Sequence, residues 1–275
     1  MLAVKGNILK CGFQNVTWTW MTKVMKTYNI YIGWDSKQQE ASEVCEYSIR
    51  KHLRRNPEMY KIHHLKRGDL KQKGLYWEDE KTASTEFSYT RFLVPHLNNY
   101  EGLAMFVDSD FLFTTDLDYL FSKIEDHIDE SAVWATQHQD YTPKLSTKFY
   151  GMEQKALPMK NWSSMMIFNC NHAHCRRLTP MSINNRTAQW LHRFEWTDKN
   201  NIGHVPFMWN WLIGEYPIEE NENFPLPWGI HYTNGGPFNE VYGQDLEHVW
   251  LKYKEELDQK NKANWEDETI LNRWE

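Results

Sequence analysis

The chain has 275 residues, of which 25% are charged, and a formal net charge of −6. That size allows one large domain or two small ones, and the charge excludes the basic surface that nucleic-acid binding requires. No apolar run reaches the about 18 residues of a membrane span, and residues 16–25, interrupted by Thr and Lys, lack the unbroken apolar stretch of a secretory signal. Four cysteines are too few for a disulfide framework, so a reducing, cytoplasmic setting is expected.

In chain order, residues 1–27 read as an extension and 28–258 as the folded domain. The apolar run 29–33, ending at Gly33, predicts a first buried strand. Residues 37–54 have helical character, 60–65 predict a second strand, and 66–74 are basic, polar and loop-like. Residues 85–97 predict a helix with Ser84 as its cap and a kink or end at Pro95. The run Leu103-Ala-Met-Phe-Val107 is the clearest buried strand. Further strands are expected at 132–136 and 163–168, and a helix closing near 191–196. From 203 to 236 the chain is rich in Pro, Gly, Asn and Trp without periodicity, which suggests a loop-rich face turned toward a ligand. A helix is expected at 246–257, then a polar tail at 259–275. Strands alternating with helical stretches imply an α/β fold with a mostly parallel sheet.

Two clusters carry chemistry. Cys170-Asn171-His172-Ala173-His174-Cys175 holds four potential zinc ligands in six residues, but one short stretch rarely wraps a tetrahedron, so it reads as a strand end and turn beside the core. Asp108-Ser109-Asp110 follows the strand 103–107 at its carboxyl end, where open α/β sheets bind ligands. Apolar residues flank it on both sides, Met105-Phe106-Val107 and Phe111-Leu112-Phe113. Two carboxylates held semi-buried need a cation partner, and hard divalent ions favour such oxygens. An Asp-x-Asp after a strand also occurs in phosphohydrolases of the haloacid-dehalogenase type, but Leu112 stands where that motif carries Thr or Val, and the position is far along the chain.

Six segments stand in a recognisable order: Ile30-Tyr31-Ile32-Gly33-Trp34-Asp35; Tyr89-Thr90-Arg91-Phe92-Leu93-Val94-Pro95; Phe106-Val107-Asp108-Ser109-Asp110; Asn161 through Asn169; Trp209-Asn210; and His231-Tyr232-Thr233-Asn234-Gly235-Gly236-Pro237-Phe238. Over residues 28–250 they resemble the GT-A glycosyltransferases, and among these glycosyltransferase family 8, the glycogenin and galactosyltransferase-like group. The resemblance implies a GT-A sheet flanked by helices and transfer of a sugar from a nucleotide-sugar donor, a UDP-sugar by expectation, to an acceptor hydroxyl with retention. It implies Mn²⁺ or Mg²⁺ held by Asp108, Asp110 and His231. Asp108 and Ser109 would also meet the donor, Gly235 and Gly236 would let backbone amides approach its diphosphate, and Gly33 and Asp35 would border the base. Arg91 would neutralise phosphate or orient an Asp of the motif, and Ser163 and Ser164 would line the sugar pocket. Asp108, Asp110 and Arg91 are the expected catalytic residues, with Trp209, Trp211 and Trp228 as candidate acceptor platforms.

The chain departs from that pattern in two places. No Lys lies between His231 and Phe238 to grip the diphosphate, which leaves Lys66, Arg67 or Arg91 to do so. The family's Asp-Gln pair ahead of Trp209-Asn210 is replaced by Asn200-Asn201-Ile202-Gly203. A non-catalytic nucleotide- or carbohydrate-binding protein on the same fold is the alternative function.

Overall fold

The strand Leu103–Val107 is apolar at every position because both of its faces are covered. In the computed structural model, which describes residues 26–78, 84–138, 159–218, 225–239, 243 and 245–271, this strand (β3) lies inside a six-stranded sheet, and all five of its residues are buried. Strands buried on both faces lose the alternating pattern. Ala104 and Phe106 point into one core with Tyr31, Phe92, Met166 and Phe168. Leu103, Met105 and Val107 point into the other with Ile30, Ile32, Phe121 and Ile167.

The sheet order is β2 (Tyr60–Leu65), β1 (Tyr28–Gly33), β3, β6 (Met165–Asn169), β5 (Val133–Ala135) and β7 (Ile202–His204). β1 runs parallel to β2 and β3, and β5 parallel to β7, whereas β6 is antiparallel to both of its neighbours. The reversal of β6 matters for the site. Its first residues, not its last, lie beside the carboxyl end of β3: Val107 pairs with Met165, and the Asp108 amide donates to the Ser164 carbonyl at 2.8 Å.

A second, three-stranded sheet has the order β4 (Phe111–Phe113), β9 (Gly229–His231), β8 (Trp211–Leu212). Its core is Leu112, Ile213, Ile230 and Tyr232, closed by Val44 of α1 (Gln39–His52) and by Val249, Trp250 and Tyr253 of α7 (Glu247–Leu271). The remaining helices are short: α2 (Arg67–Gln72), α3 (Val94–Leu97), α4 (Asp118–Glu125), α5 (Pro180–Asn185) and α6 (Ala188–His192).

Several expectations change in detail. The basic stretch 66–74 contains α2, whose Leu70 is buried and anchors it. The helix expected over 85–97 is a 3₁₀ turn, Thr90–Leu93, followed by the single turn α3. Ser84 caps no helix, and Pro95 lies in the first turn of α3, where a missing N–H costs nothing, instead of ending a longer helix. Ser163 and Ser164 lie in a 3₁₀ turn ahead of β6, not in the strand. The stretch expected as a polar tail continues α7 to Leu271, while residues 272–275 and residues 1–25 of the expected extension lie outside the described residues.

Gly229 is required by close approach. A Cβ there would meet the Trp209 carbonyl oxygen at 2.2 Å, a backbone contact that cannot rotate away. Gly229→Ala is therefore expected to lower stability by about 1–3 kcal/mol, the usual cost of overpacking. The drop will show as a lower thermal midpoint.

Candidate metal centre

Asp108 and Asp110 leave the end of β3 and lead directly into β4. β4 pairs with β9 in a register that sets Phe111 opposite His231, and the Tyr232 amide donates to the Asp110 carbonyl at 3.0 Å. The Phe111 and His231 rings stack at 4.4 Å. These pairings carry the His231 ring onto the Asp110 side chain, with Nε2 3.3 Å from Oδ1. One ligand atom from each of Asp108, Asp110 and His231 lies within 4.8 Å of the others. The sequence-expected triad is thus brought together from two sheets, although 121 positions separate Asp110 and His231 in the chain.

A hydrogen-bond chain makes Nδ1 of His231 a donor. Ser164 Oγ donates to the Asn161 carbonyl at 2.7 Å, and Asn210 Nδ2 donates to Ser164 Oγ at 3.0 Å. The amide oxygen of Asn210 must then face His231 Nδ1, at 2.9 Å, and accept its proton. In the neutral ring, Nε2 carries a bare lone pair directed at a carboxylate oxygen. That oxygen, Asp110 Oδ1, is buried and has no hydrogen-bond partner among the described residues. Two facing lone pairs repel, and a cation between them removes the conflict. Two carboxylates and one imidazole also match the oxygen and nitrogen donors that Mn²⁺ accepts, so the residues fit a divalent ion. If the triad holds a divalent ion, Asn210→Ala would weaken that binding about 10- to 100-fold, as loss of such orienting partners generally does, with titration calorimetry as the measurement.

Arg91 is buried and bound to the motif. Its Nη1 lies 2.8 Å from Asp108 Oδ1 and donates to the Ser163 carbonyl at 2.9 Å, while Nε donates to the Phe87 carbonyl at 3.3 Å. The guanidinium also sits over the Phe106 ring at 4.9 Å. Of the two tasks expected of Arg91, the geometry favours orienting an Asp.

The other expected residues vary. Gly33 ends β1 against Phe87, whose ring a Cβ would meet at 2.7 Å. Asp35 is buried, and its carboxylate accepts from the Lys37 amide at 2.9 Å and the Glu86 amide at 3.0 Å, so it ties two loops together. Ser109 is buried between the two aspartates. Gly235 has φ of 102°, a conformation that other residues rarely take, and a Cβ on Gly236 would strike the Phe238 ring at 2.2 Å. Trp209 and Trp211 are core residues, whereas Trp228 is 41% exposed and packs edge-on against Trp209. The run from Cys170 to Cys175 does not gather as a metal site. Cys170 and Cys175 bury their thiols against the carbonyls of Phe168 and Ala132, and burial pushes the Cys170 thiol up to about 12.

Beside Asp108 lies a cavity of about 490 Å³. Ser88, Arg91, Ser163, Gln189 and His192 line it, and Lys160 and Arg193 bring two cations that the sequence reading did not single out. Of the cations named earlier, Lys66 lies over the Trp34 ring at 4.9 Å and Arg67 faces Glu86 at 3.7 Å, so neither lines this cavity. Among the described residues no helix is long and apolar enough to cross a membrane.

No family model matches the chain. Among solved structures, the glycosyltransferase GlyE of Streptococcus pneumoniae TIGR4 superposes with a TM-score of 0.54 at 16% identity, over 83% of this chain and 60% of that one. Its apo form gives 0.52 at 16% identity over the same 83% and 60%. This chain therefore spans less than two thirds of the length of GlyE. The likeness establishes the fold, which is the GT-A α/β fold with a mostly parallel central sheet. Protein CDI of Arabidopsis thaliana is 41% identical over 239 residues, covering 86% of this chain and 90% of that protein. With a shared sequence of that extent, the chain belongs to the family of Protein CDI.

Proposed function

We propose that this protein is a metal-dependent glycosyltransferase that moves a sugar from a nucleoside-diphosphate donor, a UDP-sugar, to an acceptor hydroxyl with retention of configuration. The observation that carries the reading is the gathering of ligand atoms from Asp108, Asp110 and His231 within 4.8 Å of one another, with His231 Nδ1 held by Asn210 at 2.9 Å and Nε2 3.3 Å from Asp110 Oδ1. Such a site is built for a divalent cation, and it sits at the end of β3 next to a cavity large enough for a sugar ring. The resemblance to family 8 supplies the expectation of retention.

Asp108, Asp110 and His231 would hold Mn²⁺ or Mg²⁺. When bound, such an ion neutralises charge that develops on a departing diphosphate. The chain's own residues do the remaining work. Arg91 holds Asp108 in place through a 2.8 Å pair. Gly235 and Gly236 let the backbone after β9 approach a phosphate. Lys160 and Arg193 place positive charge on the cavity wall, in the part that the missing Lys would otherwise play. Gly33 and Asp35, at the end of β1, lie at the nucleoside end.

The test is calorimetry of UDP with and without Mn²⁺, followed by turnover on a UDP-sugar panel. Metal-dependent UDP binding that disappears in Asp110→Ala supports the reading. Equal UDP affinity with and without metal, or an Asp110→Ala variant with unchanged turnover, overturns it. Tight metal-dependent binding with no hydrolysis or transfer on any donor would favour the binding-protein alternative.

A further inference from the structure

β8 and β9 run parallel and end side by side, with Leu212 beside His231, and the Ile213 amide donates to the His231 carbonyl at 3.0 Å. Both segments then turn, and a glycine in the left-handed region serves each turn: Gly214 with φ of 80° after β8, and Gly235 with φ of 102° after β9. The first turn carries Glu215, which is buried. A carboxylate taken out of water must be met by donors. Its Oε1 accepts from Asn234 Nδ2 at 3.0 Å, a contact that ties the first turn to the second. The next residue anchors the first turn on another element: the Tyr216 hydroxyl lies 2.6 Å from His138 Nδ1, just beyond the end of β5.

A carboxylate offers only acceptors, so the amide nitrogen of Asn234 is the end that faces Glu215. Asn234 is thereby held where the chain leaves the metal triad, three residues after His231 and next to Gly235. Beyond it, the Gly235 amide donates to the Tyr232 carbonyl at 2.9 Å. The Gly236 carbonyl accepts from the Asn239 amide at 2.9 Å and from Asn239 Nδ2 at 3.2 Å. The Gly236 amide makes no hydrogen bond among the described residues, although Gly236 is buried. Buried backbone donors are rarely left without a partner. A phosphate oxygen is an acceptor of the kind this amide lacks.

We propose that Glu215 is a positioning residue for the donor: through Asn234 it sets the turn that presents the Gly236 amide to a phosphate of the nucleoside diphosphate. The inference rests on the glycosyltransferase reading and adds to it a residue that acts on the donor only through another. Glu215 and Asn234 stand outside the metal triad, whose ligands have supports of their own, Asn210 for His231 and Arg91 for Asp108. Loss of the Glu215–Asn234 contact therefore loosens the grip on phosphate and leaves the grip on the cation in place.

Calorimetry, run below the thermal midpoint of every protein, measures the binding of Mn²⁺ alone and of UDP at saturating Mn²⁺. The proteins are the wild type, Glu215→Ala, Asn234→Ala and the double variant. Each single variant should lose about tenfold or more in UDP affinity, the scale of a lost bond between an amide and a charged phosphate. The double variant should lose no more than the weaker-binding single one, because the two residues act as one unit. Mn²⁺ affinity should be unchanged throughout. If Glu215→Ala does not fold, Glu215→Asp, shorter by a methylene, withdraws the same contact and carries the same expectation. The proposal is overturned if either single variant binds UDP as the wild type does, if the two losses add in the double variant, or if Mn²⁺ affinity falls in step with UDP affinity. UDP binding in the wild type that does not depend on Mn²⁺ would instead overturn the glycosyltransferase reading beneath it.

Discussion

Under the proposed function, Asp110→Asn should abolish any rise in thermal midpoint that Mn²⁺ gives the wild type, and should cut donor turnover about 100-fold or more, the scale seen when one preorganised charge-stabilising group is lost. The same substitution should not destabilise the metal-free protein. Asp110 Oδ1 is buried, lacks a hydrogen-bond partner among the described residues and lies 3.3 Å from His231 Nε2, so a neutral amide in its place gives up no hydrogen bond of the metal-free protein. Metal-free Asp110→Asn is therefore expected to melt at or above the wild-type temperature. A ligand that binds only the folded form raises the midpoint by mass action, so the crossing of the two proteins as Mn²⁺ is added reads the site directly. A metal-free variant that melts well below the wild type would show that Asp110 has a structural partner instead.

Arg91→Leu should lower stability by about 3–5 kcal/mol, because it leaves the Asp108 carboxylate in the interior without its guanidinium. The pair is largely removed from solvent, with side-chain exposures of 7% for Arg91 and 16% for Asp108. The Ser163 and Phe87 carbonyls would lose donors as well. Arg91→Lys should recover only part of the loss, since one ammonium cannot reproduce a planar fork reaching an aspartate and two carbonyls while lying on the Phe106 ring. The double variant Arg91→Leu/Asp108→Asn separates the causes. Removing the stranded charge should restore much of the stability, as measured by urea unfolding, and turnover should stay absent.

The central sheet could be read from the sequence wherever burial erased the polar alternation, as in Leu103–Val107. The carboxylate pair was visible for a related reason: apolar residues on both sides of Asp108-Ser109-Asp110 are unusual for a solvated turn. The second sheet was not legible. Phe111–Phe113 and Trp211–Leu212 are too short to show a period, and they are strands only because β9 pairs with both. The segment 85–97 has apolar spacing that suits a helix, but Phe87, Phe92 and Leu93 serve the core from irregular turns. Asn210 was noticed as half of a Trp-Asn pair, while its task emerges only from Ser164, 46 positions earlier. His192 gave no signal at all, because its partner Ser163 lies 29 positions away in another element.

The long helix α7 has a consequence for how the protein can be shortened. It lies along α1, where Lys51 and Tyr47 meet Glu256, His52 Nε2 lies 2.7 Å from the Tyr253 hydroxyl, and Lys254 meets Glu40. Its buried face, Val249, Trp250 and Tyr253, also belongs to the cluster of Leu112 and Ile230, the central residues of β4 and β9. Those two strands hold Asp110 and His231 in register. A polypeptide ended just before Glu247 would keep every ligand, every cavity residue and the whole six-stranded sheet, yet it would strip the underside of the two strands that align the ligands. Under the proposed function, metal affinity should then fall before the main sheet unfolds, so that a cut remote from the candidate site acts as a lesion of that site.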